Sequence, residues 1–127
     1  MQFKKHYTLE EARALLPQVR EWLANLNHAR QRAARHDERA APQLADGADL
    51  GGASVNEWIK NLAQIQKLLL RFHQRDIQVK DLQRGLIDFP AIIGGREVFL
   101  CWEQDEDDIE YWHDLDTGYA GREKLKE

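Results

Sequence analysis

The chain has 127 residues, 43% apolar and 31% charged, with 8 Gly, 3 Pro and one Cys, which predicts one compact soluble domain over 1–127. A lone cysteine forms no internal bridge, and no CxxC or Cys/His ligand spacing is present, so a disulfide framework and a zinc finger are excluded and a reducing cytoplasm is the expected compartment. No run approaches the roughly 20 apolar residues of a membrane span, and residues 1–17 lack a signal-peptide pattern.

Charge is uneven along this net −4 sequence. The first 84 residues carry 14 Lys and Arg against 10 Asp and Glu, whereas residues 85–127 carry 4 against 12. A dedicated nucleic-acid binder shows a strong basic stripe. An acidic third repels such a partner, so nucleic-acid binding is not expected.

Thr8-Leu9-Glu10-Glu11 has the form of a capping box, in which the Thr hydroxyl accepts from an orphan amide and Glu11 reaches back. Leu9, Ala12, Leu15, Leu16, Val19, Trp22, Leu23 and Leu26 then recur at helical spacing, predicting a first helix over about 8–38. Pro17 falls inside it and predicts a kink, or a short turn followed by a longer helix. Residues 40–53 hold Pro42, Gly47, Gly51 and Gly52 without periodicity and read as a flexible loop. Ser54-Val55-Asn56-Glu57 is a second capping box, opening a helix over about 54–74 whose stripe is Val55, Trp58, Ile59, Leu62, Ile65, Leu69 and Phe72. Two long helices joined by a loop predict an antiparallel helical hairpin.

From Ile77 the period becomes two. Leu86–Ile93 and Arg96–Trp102 flank Gly94-Gly95, a hairpin signal, and another strand is expected over Ile109–His113. The prediction is therefore α+β: the helical hairpin, then a three- or four-stranded antiparallel meander over about 77–114, then a loop over 115–127. Val98, Leu100 and Trp102 alternate with Phe99 and Cys101, so both sheet faces carry large apolar groups. One helical layer covers one face, and the other is expected to meet the tail, the loop or a second subunit; a homodimer follows, with Trp22, Trp58, Phe99 and Trp112 as core or interface candidates.

The strings YTLEEARALLP (7–17), GLIDFPAIIGGREVFLCW (85–102) and YWHDLDTGYAGR (111–122) resemble one family of uncharacterised bacterial proteins, a domain of unknown function. The resemblance spans nearly the whole chain and implies no activity, substrate or cofactor. In that family a glycine more often stands where this chain has Asp76, which marks the exit from the second helix as a point of departure.

Asp88 interrupts an apolar strand, where a carboxylate must be paired, hydrogen-bonded or solvated at an edge. It reads first as a structural group, bonded to backbone amides or to an arginine such as Arg122, and second as a site residue. Pro90 places this stretch at a sheet edge or bulge. His113-Asp114 ends a strand: imidazole and carboxylate together suit a divalent first-row metal or acid/base work, against the blander reading of a hydrogen-bonded strand end. Six carboxylates between Glu103 and Glu110 lack the EF-hand order and read as a solvated turn. Gly118–Arg122 presents amides and a guanidinium to an anion, or pairs Arg122 with the acidic face. Arg30, Arg32, Arg35 and Arg39 lack interleaved aromatics and read as a solvated helix end or a contact for a partner's acidic sheet, ahead of a nucleic-acid contact. Cys101 reads as a buried thiol without a neighbouring base.

The sequence as a whole reads as a non-enzymatic dimeric binding or assembly module. The alternative is a small metal-dependent enzyme or metal-binding protein using Asp88, His113 and Asp114, with Arg122 holding an anionic ligand.

Overall fold

The computed structural model describes residues 1–45 and 52–126, with side chains described outside 36–54. Helices α1 (Leu9–Ala45) and α2 (Gly52–Gln74) precede strands β1 (Gln78–Asp81), β2 (Leu86–Ile93), β3 (Arg96–Glu103), β4 (Tyr111–Asp114) and β5 (Glu123–Lys124). The strands form one antiparallel sheet in sequential order. The fold is α+β, as the patterning predicts, with five strands rather than three or four. The extra strand lies in the tail expected to be a loop, where the Leu125 amide donates to the Glu110 carbonyl at 2.8 Å and holds the segment against β4.

Thr8 and Glu11 cap α1 reciprocally: the Glu11 amide donates to Thr8 Oγ1 at 3.0 Å and the Thr8 amide to Glu11 Oε1 at 3.0 Å. The predicted stripe is the buried one, with Ala12, Leu16, Val19, Trp22, Leu23, Leu26 and Ala29 inside. Helix α1 runs through Pro17 as one element, not as a turn followed by a helix. Pro17 is exposed, so its ring stands on the side of the helix away from the core. The helix also passes its expected end near 38. Residues 40–45 and 52–53 of the expected loop are helical, because Ala, Arg, Glu and Gln carry the helix past Pro42. The remainder of that loop, 46–51, lies outside the described residues. Because α2 opens at Gly52, Ser54 stands inside the helix and the second capping box does not mark its start.

Helix α2 ends in a Schellman motif. The Ile77 amide donates to the Phe72 carbonyl and the Asp76 amide to the His73 carbonyl, both at 3.1 Å, with Asp76 left-handed at φ 57°. Glycine suits that conformation best. Here the carboxylate supplies compensation: Asp76 Oδ2 accepts from the backbone amides of Lys4 and Lys5 at 3.2 and 3.0 Å.

Contacts between the helices run in opposite senses, Trp22 against Phe72 with ring centroids 5.3 Å apart and Arg32 against Asn61 and Gln64. The connection that would make them a hairpin lies outside the described residues. The core joins the α1 stripe, Leu68 and Phe72 of α2, and the inward side chains of the sheet, among them Ile87, Phe89, Val98, Leu100 and Trp102.

The opposite sheet face does not need a second subunit to be covered. Phe3 packs on Phe99 with centroids 5.3 Å apart, and the tail brings Arg122 over the Tyr111 ring. Phe99, Cys101 and Leu86 are accordingly buried within one chain. Of the four interface candidates, Trp22 and Phe99 are buried, Trp112 is half-buried against the core, and Trp58 is 39% exposed. Large apolar side chains exposed among the described residues lie mostly on α2, with Ile92 and Ile93 at the end of β2. Among the described residues no helix is long and apolar enough to cross a membrane.

Candidate metal centre

Gly94 and Gly95 both have positive φ, 60° and 76°, and close a two-residue turn that pairs Ile93 with Arg96. Counting back along this ladder sets Asp88 directly across from Cys101. On the next strand His113 pairs with Phe99 and Tyr111 with Cys101. Alternation then turns Asp88, Cys101 and His113 to one face, the one away from the helices.

The three residues are almost completely enclosed, Asp88 and His113 each at 2% exposure. His113 Nε2 lies 3.0 Å from Asp88 Oδ2, and one ligand atom from each of the three, Cys101 Sγ included, falls within 4.8 Å of the others. His113 Nδ1 is 2.7 Å from the Asp114 carbonyl. A carbonyl only accepts, so Nδ1 carries the proton and the Nε2 lone pair is directed at the cluster. One proton therefore lies between Nε2 and Oδ2. Asp88 Oδ1 makes no hydrogen bond among the described residues.

Electrostatics match this confinement. Burial raises the Asp88 pKa above the ordinary carboxylate range, against the opposing pull of His113, the Cys101 thiol and Lys80. Burial likewise pushes the Cys101 thiol up, and the Asp88 charge adds to it while Arg122 acts in the opposite direction. Burial thus disfavours the charged form of both Asp88 and Cys101.

The surroundings close the site. Phe99 packs on His113 with centroids 5.5 Å apart, Lys80 Nζ stands 4.9 Å over Phe99, and the Arg122 guanidinium lies 4.0 Å over Tyr111 and 4.6 Å over Tyr119. Arg122 Nη2 donates to Glu106 Oε2 at 2.6 Å. A cavity of about 650 Å³ bounded by Leu9, Ile92, Leu100, Trp112 and Leu125 touches none of the three cluster residues.

Two of the sequence candidates, Asp88 and His113, meet here. Asp114 does not join them as a ligand: adjacent strand residues face opposite sides, and its carboxylate pairs with Arg96 at 2.9 Å while only its carbonyl serves His113. Arg122 pairs with Glu106 instead of with Asp88. The acidic turn keeps Asp105, Asp107 and Glu110 exposed, while Arg20 donates to the backbone carbonyls of Gln104 and Glu106 at 3.1 and 2.9 Å and Arg13 to that of Ile109 at 2.8 Å. Part of the charge asymmetry along the chain thus folds back on itself. The residue missed was Cys101. Its signal was present in the sequence, since a two-residue Gly-Gly turn fixes its pairing with Asp88.

No curated protein and no solved structure matches the chain. Residues 5–125, nearly its whole length and all five strands, match the model of an uncharacterized conserved protein family, and the chain is a member of that family, DUF2203.

Proposed function

We propose that this protein is a metal-binding module that holds one divalent transition ion of the zinc type through Asp88, Cys101 and His113. The observation carrying this reading is the convergence of a carboxylate, a thiol and an imidazole whose second nitrogen already donates to a backbone carbonyl. That outer bond is the usual support of a histidine ligand.

Metric and charge considerations support it. Ligands at about 2.0 to 2.3 Å around a tetrahedral ion lie about 3.3 to 3.6 Å from one another. Ligand atoms already within 4.8 Å, one pair at 3.0 Å, reach that arrangement when the longest separation closes by about 1.2 Å or less. A divalent charge against one carboxylate and one thiolate sums to zero, the favourable outcome in an enclosed place. Since the cluster is buried beneath Phe99, Tyr111 and Arg122, the ion's role is to tie β2, β3 and β4 together rather than to turn over a substrate.

Elemental analysis of untagged protein purified without chelator tests this. About one equivalent of zinc-type metal is expected, lost in Cys101→Ser and His113→Ala and retained in Asp114→Asn. Metal-free protein that takes up no added Zn²⁺ or Co²⁺ refutes the proposal.

A second reading, self-association into a homodimer, is favoured by the large apolar side chains that α2 leaves exposed. A mass of one chain in sedimentation at micromolar concentration counts against it.

A further inference from the structure

Two buried side-chain atoms on the sheet face that carries the cluster, Asp88 Oδ1 and Arg122 Nε, make no hydrogen bond among the described residues. A buried donor or acceptor left this way is a standing cost to the fold and marks a place where a partner is due. Asp88 is a ligand of the proposed ion. Arg122, its side chain only 9% exposed, has no part in that ligand set and still carries an unused donor.

The ladder sets this donor beside Cys101. Tyr111 pairs with Cys101 on one side and with Lys124 on the other, and Trp112 pairs with Glu123. Continued by one step, that register puts Arg122 across from His113, on the face that His113 shares with Cys101. The guanidinium is held there, 4.0 Å over the Tyr111 ring and 4.6 Å over that of Tyr119. A guanidinium paired side-on with a carboxylate uses Nε as well as one Nη. Glu106 takes Nη2 alone, at 2.6 Å, and Nε is left over on a group stacked upon the cross-strand neighbour of Cys101. Electrostatics run the same way: burial and the Asp88 carboxylate oppose a Cys101 thiolate, and the Arg122 charge favours it.

We propose that Arg122 is a positioning residue of the metal centre, donating from Nε to Cys101 Sγ once that sulfur is a metal-bound thiolate. This role rests on the metal-binding reading and names the group that supports its sulfur ligand. The Asp114 carbonyl orients His113, and Arg122 does the same for Cys101. A thiolate that accepts a charge-assisted hydrogen bond keeps its charge more readily in an enclosed place, and outer partners of this kind are worth about ten- to a hundredfold in metal affinity. Glu106 offsets the guanidinium charge, so the neutral sum of ion, carboxylate and thiolate is undisturbed. Lysine does not substitute, because its ammonium is a point charge on a flexible stem with no N–H at the Nε position.

Titration of the full chain with Co²⁺ and with Zn²⁺, beside Arg122→Lys and Glu106→Gln, tests it. In the parent, Co²⁺ is expected to give a sulfur-to-cobalt charge-transfer band in the near ultraviolet. Arg122→Lys keeps a cation for Glu106 but loses the donor, so the band is expected to move to longer wavelength and Zn²⁺ affinity to fall about ten- to a hundredfold at unchanged stoichiometry. Glu106→Gln keeps the donor and is expected to leave the band in place. In the parent itself, Zn²⁺ is expected to move the Arg122 Nε–H proton resonance downfield and to slow its exchange, a readout that needs no variant to fold. A band unmoved in Arg122→Lys, a band moved as far in Glu106→Gln, or an Nε–H resonance indifferent to Zn²⁺ overturns the role of Arg122 and leaves the metal centre standing. A parent that binds neither ion overturns both.

Discussion

His113 directs Nε2 at Asp88 Oδ2 across 3.0 Å while its Nδ1 proton is committed to the Asp114 carbonyl. The pair thus shares one exchangeable proton, and the Cys101 thiol, held protonated by burial and by Asp88, carries another. A divalent ion must displace both. Calorimetric titration of Zn²⁺ into metal-free protein, repeated in buffers of different ionisation enthalpy, is expected to report about two protons released per ion at neutral pH. Cys101→Ser removes the thiol from this balance, and release near two in that variant contradicts the assignment.

Glu97 is tied to the N-terminal residues. Burial alone raises its pKa, but the His6 hydrogen bond and those from the Phe3 and Gln2 amides hold it at about 2, below its ordinary 4.5. A carboxylate lowered on folding stabilises the fold fully above its unfolded pKa, and that stabilisation is lost as pH falls through the folded value. The melting-temperature gap between the parent and Glu97→Gln is therefore expected to shrink as pH falls from about 4.5 to about 2. A gap that widens on acidification reverses the sign and rejects the argument.

Asp76 combines a left-handed backbone with a side chain that receives two amides. Asp76→Ala keeps the unfavourable φ, worth about 1 kcal/mol, and loses both bonds, so a cost of about 1 to 3 kcal/mol in urea denaturation is expected. Asp76→Gly loses the same bonds but relieves the backbone. It is expected to be about 1 kcal/mol more stable than the alanine variant. Equal stabilities of the two show that the helix exit carries no strain.

Two tryptophans at similar helical spacing in the sequence occupy different environments. Trp22 is 8% exposed, edge-on to Phe72 and beneath the Arg75 guanidinium at 4.9 Å. Truncation to alanine is expected to cost about 3 to 5 kcal/mol. Trp58, at 39% exposure, is expected to cost less than half as much when measured well below any dimer dissociation constant. Equal losses place Trp58 in the core.

Elements governed by local rules were legible from the residues: the Thr8/Glu11 box, the α1 stripe and the Gly94-Gly95 turn each follow from neighbours within a few positions. Asp88 and His113 stood out because a carboxylate and an imidazole interrupt apolar strands. Three features escaped for physical reasons. The tail strand Glu123–Lys124 is two residues long and owes its existence to β4, so no periodicity announces it. Coverage of the second sheet face depends on the N-terminal residues and on Arg122, both remote in sequence. Asp114 was grouped with His113 by adjacency, whereas a strand sends neighbours to opposite faces and recruits Cys101 from across the ladder.

The segment preceding α1 has no place in the sheet, yet it is pinned: Glu97 takes the amides of Gln2 and Phe3, Asp76 takes those of Lys4 and Lys5, and the Tyr7 amide donates to the Pro90 carbonyl at 2.7 Å. It works as a latch, and Phe3 is its tongue, reaching His113 through a single intervening ring, Phe99. The chain's first residues thus cover the sheet face that carries the cluster, two ring contacts away from His113.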